Sequence, residues 1–194
     1  MTALADLRTD LTQRLILEAG LRTLEEATVG ELTMRAVAKA SGISERTMFR
    51  YFATRDEFLD ALTAELVRTL ALPPHPRTIG ELLAMPAALY RSFEEKRNLM
   101  KASLHSELSD RIRATEARQR WIAVGKLIDA YAPRAPEARR KIASANIRFY
   151  LSGSTWHYYR FIFRFTVEDA IACAEAALRQ SLDSLRSTKR REVA

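Results

Sequence analysis

The sequence predicts an all-α protein made of two helical units. Residues that favour helices, chiefly Ala, Leu, Arg and Glu, dominate the chain, and strand-like alternation of apolar and polar residues is scarce. Capping boxes, in which a Thr is followed three residues later by an acidic residue, mark helix starts at 54–57, 78–81 and 166–169. The run 72–76 carries three prolines, which cannot continue a helix, so we expect the boundary between the two units there.

Four helices are predicted before this boundary. The first opens at Asp10 or Thr12 and ends before 28–30. Thr33 and Ser44 are the N-caps of two short helices, which Gly42 separates because it tolerates the positive φ of a sharp helix end. The predicted spans are about 10–27, 34–40, 45–51 and 55–70.

Five helices are predicted after the boundary, over about 79–95, 98–105, 109–130, 136–165 and 167–186. Pro86 lies inside the first of these helices and is expected to kink it, whereas Pro136 is expected at a first helical position. The last helix carries an apolar stripe that needs a partner, and a frayed tail is expected from Ser187 onward.

Composition is that of an ordinary globular protein, with 47% hydrophobic and 28% charged residues in a chain of 194. The single cysteine, Cys173, excludes an intrachain disulfide and suits a reducing compartment. The N-terminus lacks the features of a secretory signal, and no uncharged stretch approaches the roughly 20 residues that span a bilayer. We therefore expect a cytoplasmic protein.

The segment 32–52 is the most informative part of the sequence. Its two short helices are too short to be stable alone and must pack on their neighbours. Val37, Ala38, Ile43 and Met48 are spaced to face inward, which leaves a polar face on the second helix. This pattern is typical of a helix-turn-helix, which sets its second helix into the DNA major groove. A generic helical hairpin with a charged, solvated face is the alternative.

The net charge of +7 does not itself locate a DNA-binding surface. Residues 1–60 hold 8 Lys/Arg and 10 Asp/Glu, whereas residues 61–194 hold 23 and 14, which places the excess outside the helix-turn-helix. Within 33–55, however, there are five basic residues and only one acidic residue, Glu45. The prediction of DNA binding therefore rests on this short basic segment.

Residues 11–62 resemble the N-terminal domain of the TetR family of bacterial transcriptional regulators. The segments that carry the resemblance follow one another in the family's order without a gap, and they read LTMRAVA at 32–38, SGIS at 41–44, TMFRYF at 47–52 and TRDEFL at 54–59. Two departures are present: Phe49 stands where Tyr is frequent, and 24–27 lacks the common aromatic-plus-Gly pattern.

The resemblance implies a set of DNA-binding residues. Thr33 and Arg55 are implied to clamp phosphates at two helix starts, and Ser44, Arg46 and Thr47 to enter the groove, where Glu45 has the chemistry to accept from a cytosine amine. The full set is Thr33, Arg35, Ser44, Glu45, Arg46, Thr47, Arg50, Tyr51, Thr54 and Arg55.

For the rest of the chain the resemblance implies a homodimer through the last two helices and an effector pocket in the middle ones. The aromatic and soft side chains on those helices are candidates for the pocket: Tyr90, Phe93, Met100, His105, Trp121, Phe149, Tyr150, Trp156 and Tyr159. As a group they suit an apolar or aromatic effector, whereas packing in the core or the dimer interface is the preferred explanation for any single one of them. The basic balance of this region fits either an anionic effector or an arginine-rich surface.

No catalytic motif is present, and His75, His105 and His157 are far apart and lack Cys or carboxylates at ligand spacing. We therefore expect no enzyme, no metal and no cofactor. The sequence hypothesis is a repressor released by an effector from a palindromic operator, with a DNA-binding domain at 1–55, a connecting helix and linker at 56–76, and an effector and dimerisation domain at 77–194. A helical carrier or enzyme, an activator and a ligand-independent regulator are the alternatives.

Overall fold

The computed structural model of the chain describes residues 2–26 and 32–186, with side chains from residue 9 onward. These residues are helical apart from turns and short linkers, and no strand occurs among them, which confirms the all-α class. The expected break at 28–30 and the expected tail from Ser187 lie outside the described residues.

The described helices in chain order are α1 (Thr2–Glu26), α2 (Met34–Ser41), α3 (Glu45–Tyr51), α4 (Arg55–Leu70), α5 (Ile79–Glu95), α6 (Arg97–Leu104), α7 (Leu108–Ile112), α8 (Arg118–Tyr131), α9 (Glu137–Tyr150), α10 (Gly153–His157) and α11 (Val167–Arg186). Two stretches are π-helical: Arg113–Ala117 directly precedes α8, and Tyr158–Ile162 directly follows α10.

The chain divides into two compact units. The first comprises Met1–Ala71 and Lys96–Arg113, and the second comprises Leu72–Glu95 and Ala114–Ala194. The division after Ala71 falls at the start of the proline-rich run. The segment 96–113, which we had predicted within a C-terminal domain of 77–194, clusters instead with the N-terminal helices, so α6 and α7 pack beside α1 and α4.

The helix starts in the first unit follow the sequence prediction closely. The hydroxyl oxygens of Thr33, Ser44 and Thr54 accept hydrogen bonds from backbone N–H groups three residues later, at 3.1, 3.1 and 3.2 Å. Gly42 has a φ of 71°, the left-handed conformation that ends α2. The predicted start of α1 was wrong, because residues 2–9 contain no Gly or Pro and the helix extends through them.

The core of the first unit holds α2 and α3 against α1 and α4. Val37 and Met48 are fully buried, as are Ile16 on α1 and Leu62 on α4. Phe52, directly after α3, packs edge-on against Phe58 with 5.5 Å between ring centroids. These apolar contacts supply the stability that two helices of eight and seven residues lack alone.

The second unit buries α11 mainly against α9 and α5. The apolar stripe of α11, predicted to need a partner, is thereby covered within the chain; its buried members include Ile171, Leu178 and Leu182. The thiol-bearing Cys173 is half-buried on the same helix. The capping box that opens α11 is formed, since the Asp169 N–H donates to the Thr166 hydroxyl at 3.1 Å.

Three predictions on the second unit were wrong in detail. The helix predicted over 136–165 is broken after Tyr150, because Ser152 accepts from the Thr155 N–H at 3.2 Å and caps a new helix that begins at Gly153. The helix predicted over 109–130 is not α-helical throughout, because the π-helical stretch Arg113–Ala117 interrupts it. Pro136 is the N-cap of α9, with ψ of 140°, rather than its first helical residue.

Candidate nucleic-acid interface

The turn between α2 and α3 fixes the direction of α3. The N–H groups of Gly42 and Ile43 donate to the carbonyls of Lys39 and Ala38 at 3.2 and 3.1 Å, which closes the end of α2. Ala38 is buried, as predicted, whereas Ile43 is only half-buried. Met48, on the inner face of α3, is fully buried, so the opposite face of this helix points outward.

The outward face of α3 carries polar side chains at helical spacing. Glu45, Arg46 and Arg50 are exposed, as is Ser44 at the helix start, and Thr47 is half-buried. The Ser44 and Thr47 hydroxyls are 2.9 Å apart and bond to each other. An exposed short helix with arginine, threonine and serine side chains has the donors and acceptors needed to contact base edges and phosphates.

Phe49 lies on the same exposed face, with 51% of its surface accessible. In the sequence, Phe49 stands out only because it replaces the more frequent Tyr and so lacks its hydroxyl. An exposed phenyl ring has the apolar surface with which side chains contact the methyl group of thymine. The signal was present in the sequence, because Phe49 lies four and three residues after Glu45 and Arg46 and therefore shares their outward face.

Tyr51 links the end of α3 to α1. A hydrogen bond with the Thr12 side chain is the main cause that lowers the pKa of the Tyr51 phenol, with a further contribution from Arg50. The Arg50 guanidinium lies over the Tyr51 ring, 5.4 Å from its centroid. Tyr51 therefore orients Arg50 and connects the two helices, besides any contact it makes with a DNA backbone.

Two of the predicted DNA-binding residues form an ion pair with each other. The Arg35 Nε donates to Glu45 at 2.8 Å, and both side chains are exposed. Such a surface pair contributes little to stability. It does direct the Glu45 carboxylate toward Arg35 on α2, whereas the sequence indicated only a contact in the groove.

Arg55 has partners that the sequence did not indicate. Its guanidinium donates to both carboxylate oxygens of Glu107 and to the Leu32 carbonyl, the latter at 3.2 Å. The hydrogen bond with Glu107 is the largest cause that raises the pKa of Arg55 above its ordinary value. The predicted phosphate clamp is therefore paired with a carboxylate that lies 52 positions later in the chain.

A second ion pair joins the same elements. Arg111, on α7, donates to Asp56 and Asp60 in the first turns of α4. The start of α4, where Thr54 and Arg55 were predicted to meet phosphate, is thus tied to 107–111 by several charged contacts.

Lys39, Arg46 and Arg50 remain as cations without a carboxylate partner among the described residues. All three are exposed on α2 or α3. The positive potential of this surface therefore comes from α2 and α3, because Glu107 and Glu45 offset the charges of Arg55 and Arg35.

The nine effector candidates do not fall in one unit. Met100, which is buried, and His105, which is exposed, lie in the first unit, and the other seven lie in the second. Of these seven, Tyr90, Phe93 and Trp156 are buried, Phe149 is exposed, and the rest are half-buried: Trp121, Tyr150 and Tyr159.

The polar atoms of the buried Tyr90 and Trp156 in the second unit already have partners. The Tyr90 hydroxyl donates to the Tyr150 carbonyl at 2.8 Å, and burial raises its pKa. The Trp156 Nε1 donates to Glu94 at 2.9 Å, and Arg160 donates to the same carboxylate. This network satisfies buried polar atoms and stabilises the core.

Across the described ranges, no group of three or more His, Cys, Asp or Glu is arranged to hold a metal ion. None of the described helices is both long enough and apolar enough to cross a bilayer.

Comparison with known proteins agrees with this geometry. Residues 16–62, which span α1 to the middle of α4, match the model of a family described as bacterial regulatory proteins, tetR family. The crystal structure of a protein named BioQ is similar over 88% of this chain and 95% of that one, with a TM-score of 0.58. At 16% sequence identity, this similarity shows a shared fold. No curated protein matches the sequence.

Proposed function

We propose that this chain, which is a TetR-type DNA-binding transcriptional regulator, acts in the cytoplasm as a homodimeric repressor that a small-molecule effector releases from a palindromic operator. The observation that carries the proposal is the exposed, polar face of α3, which stands on a fully buried apolar face in a domain that matches the family. Rigid presentation of a short helix is what base reading in the major groove requires.

Arg46 is the residue best suited to read a base. It lies in the first turn of α3, is exposed, and has no carboxylate partner among the described residues. Arginine forms paired hydrogen bonds with guanine, and each such contact discriminates by about 1–3 kcal/mol. Lys39 on α2 and Arg50 on α3 are also exposed and carry charge suited to phosphates.

A homodimer is supported by an exposed apolar surface on α9. Ala138, Ile142, Ala145 and Phe149 lie at positions i, i+4, i+7 and i+11 on the solvent side of this helix, with Ile142 60% and Phe149 61% exposed. Exposed small residues on the neighbouring α11, Ala172 and Ala176, permit close approach of a second copy. Two helices from each copy would then form a four-helix bundle.

Release by an effector requires a difference in affinity between two dimer geometries. An effector bound to the C-terminal helices would favour the geometry in which the two copies of α3 no longer match successive major grooves. A coupling free energy of about 1–3 kcal/mol changes operator affinity about 5- to 150-fold, which is enough for a switch.

Selection of bound fragments from random duplex DNA tests the proposal. The purified protein at moderate salt should enrich a palindrome, and Arg46→Ala should lose the enrichment while still binding random DNA. Arg91→Ala, which removes an exposed arginine of the second unit, is the charge-matched control and should enrich the same palindrome. Absence of any enriched sequence, together with tight binding of a small molecule, would favour a helical carrier instead.

A further inference from the structure

A buried arginine in the second unit has hydrogen-bond donors that no described residue accepts. Arg120 lies in the first turn of α8 and is 6% exposed. Its Nε and Nη2 atoms are shielded from solvent and form no hydrogen bond within the described part of the chain. Folded proteins rarely leave a buried charged group in this state, because its desolvation is not offset.

Arg160, a deeply placed arginine of the same unit, shows the usual arrangement. Arg160 pairs with Glu94, which also accepts from Trp156. Arg120 has no such carboxylate. Burial lowers the pKa of its guanidinium, and Glu116, one turn earlier in the chain, acts in the opposite direction without accepting a hydrogen bond from it. Among the described residues, the Nε–Nη2 edge of the guanidinium therefore has no hydrogen-bonded counter-ion.

The two unsatisfied atoms define the shape of the missing group. Nε and Nη2 lie along one edge of the guanidinium, where their N–H bonds run parallel. That edge fits two oxygens of a carboxylate or a phosphate, which accept both hydrogen bonds at once.

The surroundings of Arg120 point to an anion with an apolar body. Arg120 shares the buried face of α8 with Val124 and Ile128, one and two turns further along. Residues 118–150 hold 8 Lys/Arg and 2 Asp/Glu, which favours entry of a negative charge. The π-helical stretch Arg113–Ala117 directly precedes α8, and such stretches occur frequently at functional sites.

We propose that Arg120 anchors the oxyanion of a small amphipathic ligand, an organic carboxylate or phosphate whose apolar part lies along the buried face of α8. This inference rests on the proposed function, since it gives the chemical class of the effector. It selects the anionic effector over the arginine-rich surface that the sequence left open, and it assigns the role to one residue outside the aromatic candidates.

Binding to the full chain without DNA tests the site. Isothermal titration would use octanoate, octyl phosphate and inorganic phosphate at constant ionic strength, with octanamide as the uncharged analogue of octanoate. We expect at least one of the organic anions to bind about tenfold or more tightly than octanamide, because hydrogen bonds to charged groups are worth more than neutral ones. The preference between octanoate and octyl phosphate identifies the headgroup.

Three variants separate a binding role from a structural one. Arg120→Met should reduce anion affinity about tenfold or more and leave octanamide binding unchanged. Arg120→Lys keeps the charge but cannot form two parallel hydrogen bonds, so it should bind the anions with intermediate affinity. Because it keeps the buried charge, it also provides a usable test if Arg120→Met does not fold. Arg118→Met removes an exposed charge from the same helix turn and should bind as the parent does.

Two results would overturn the proposal: binding of none of the three anions by the parent chain, or equal anion affinity in the parent and both Arg120 variants. A parallel assay of operator binding keeps the two proposals apart. Operator binding without anion binding would remove the Arg120 site and leave the DNA-binding proposal intact. Anion binding that leaves operator affinity unchanged would overturn the effector role of the site.

Discussion

Replacement of Glu107 by Gln should strengthen DNA binding. Arg55 donates to both carboxylate oxygens of Glu107, so a phosphate must compete with that carboxylate for the guanidinium. The two side chains are 47% and 41% exposed, which places the pair among surface ion pairs worth about 0.2–1 kcal/mol. Removing this competition should raise affinity about 1.4- to 5-fold for each DNA-binding domain, and by about the square of that factor for a dimer.

Fluorescence anisotropy with the selected operator fragment, repeated at several salt concentrations, measures this effect. Glu95→Gln is the control, because it removes an exposed carboxylate from the second unit. A double-mutant cycle with Arg55→Gln then separates competition from general charge. The gain from Glu107→Gln should fall sharply when Arg55 is absent, and Arg55→Gln alone should flatten the salt dependence by about 0.9 in slope per lost phosphate contact.

Two results would refute this reasoning. An equal gain from Glu107→Gln with and without Arg55 would mean that Glu107 acts only as a distant negative charge. Weaker operator binding in Glu107→Gln would mean that the ion pair holds α4 in its DNA-binding position instead of competing with phosphate.

The remaining predictions concern the core, the dimer and a helix cap. Met48→Ala should lower the free energy of unfolding by about 2–5 kcal/mol, because Met48 is fully buried, whereas Phe49→Ala should change it by no more than about 0.5 kcal/mol and still weaken operator binding; urea unfolding and anisotropy separate the two effects. Ile142→Glu should yield monomers in sedimentation experiments, and Ile122→Glu, an exposed position on α8, should not; dimers in both would place the interface elsewhere. Thr54→Ala should destabilise the chain by about 0.5–2 kcal/mol through loss of the cap of α4, which thermal unfolding detects; an unchanged Tm would show that the cap is dispensable.

Local hydrogen bonds explain which parts of the fold could be predicted. The caps formed by Thr33, Ser44 and Thr54 each join atoms three residues apart, so the short sequence around each one is enough to specify the helix start. The same holds for the positive φ of Gly42. The break at Ser152 is equally local and could have been foreseen from its Ser-Gly pair, although the helical pattern on either side concealed it.

The sequence predicted which side chains of α3 are exposed on the candidate DNA-binding surface. It did not predict the net charge of that surface. The order of inward and outward positions on α3 follows from helical periodicity, which correctly left Arg46 and Arg50 exposed and buried Met48. The net charge of the segment 33–55 did not include Glu107, because that residue lies far along the chain and reaches Arg55 only in the folded first unit.

By itself, the amino-acid sequence determined the all-α class, most helix starts and the exposed polar face of α3, since each depends on residues within one or two helical turns. Only the tertiary structure decided the partner of Arg55, the covering of the α11 stripe by α5 and α9, and the burial of Arg120 without a partner. Those outcomes depend on which distant segments meet when the chain packs, and helical periodicity carries no information about the partner of a given face or charge.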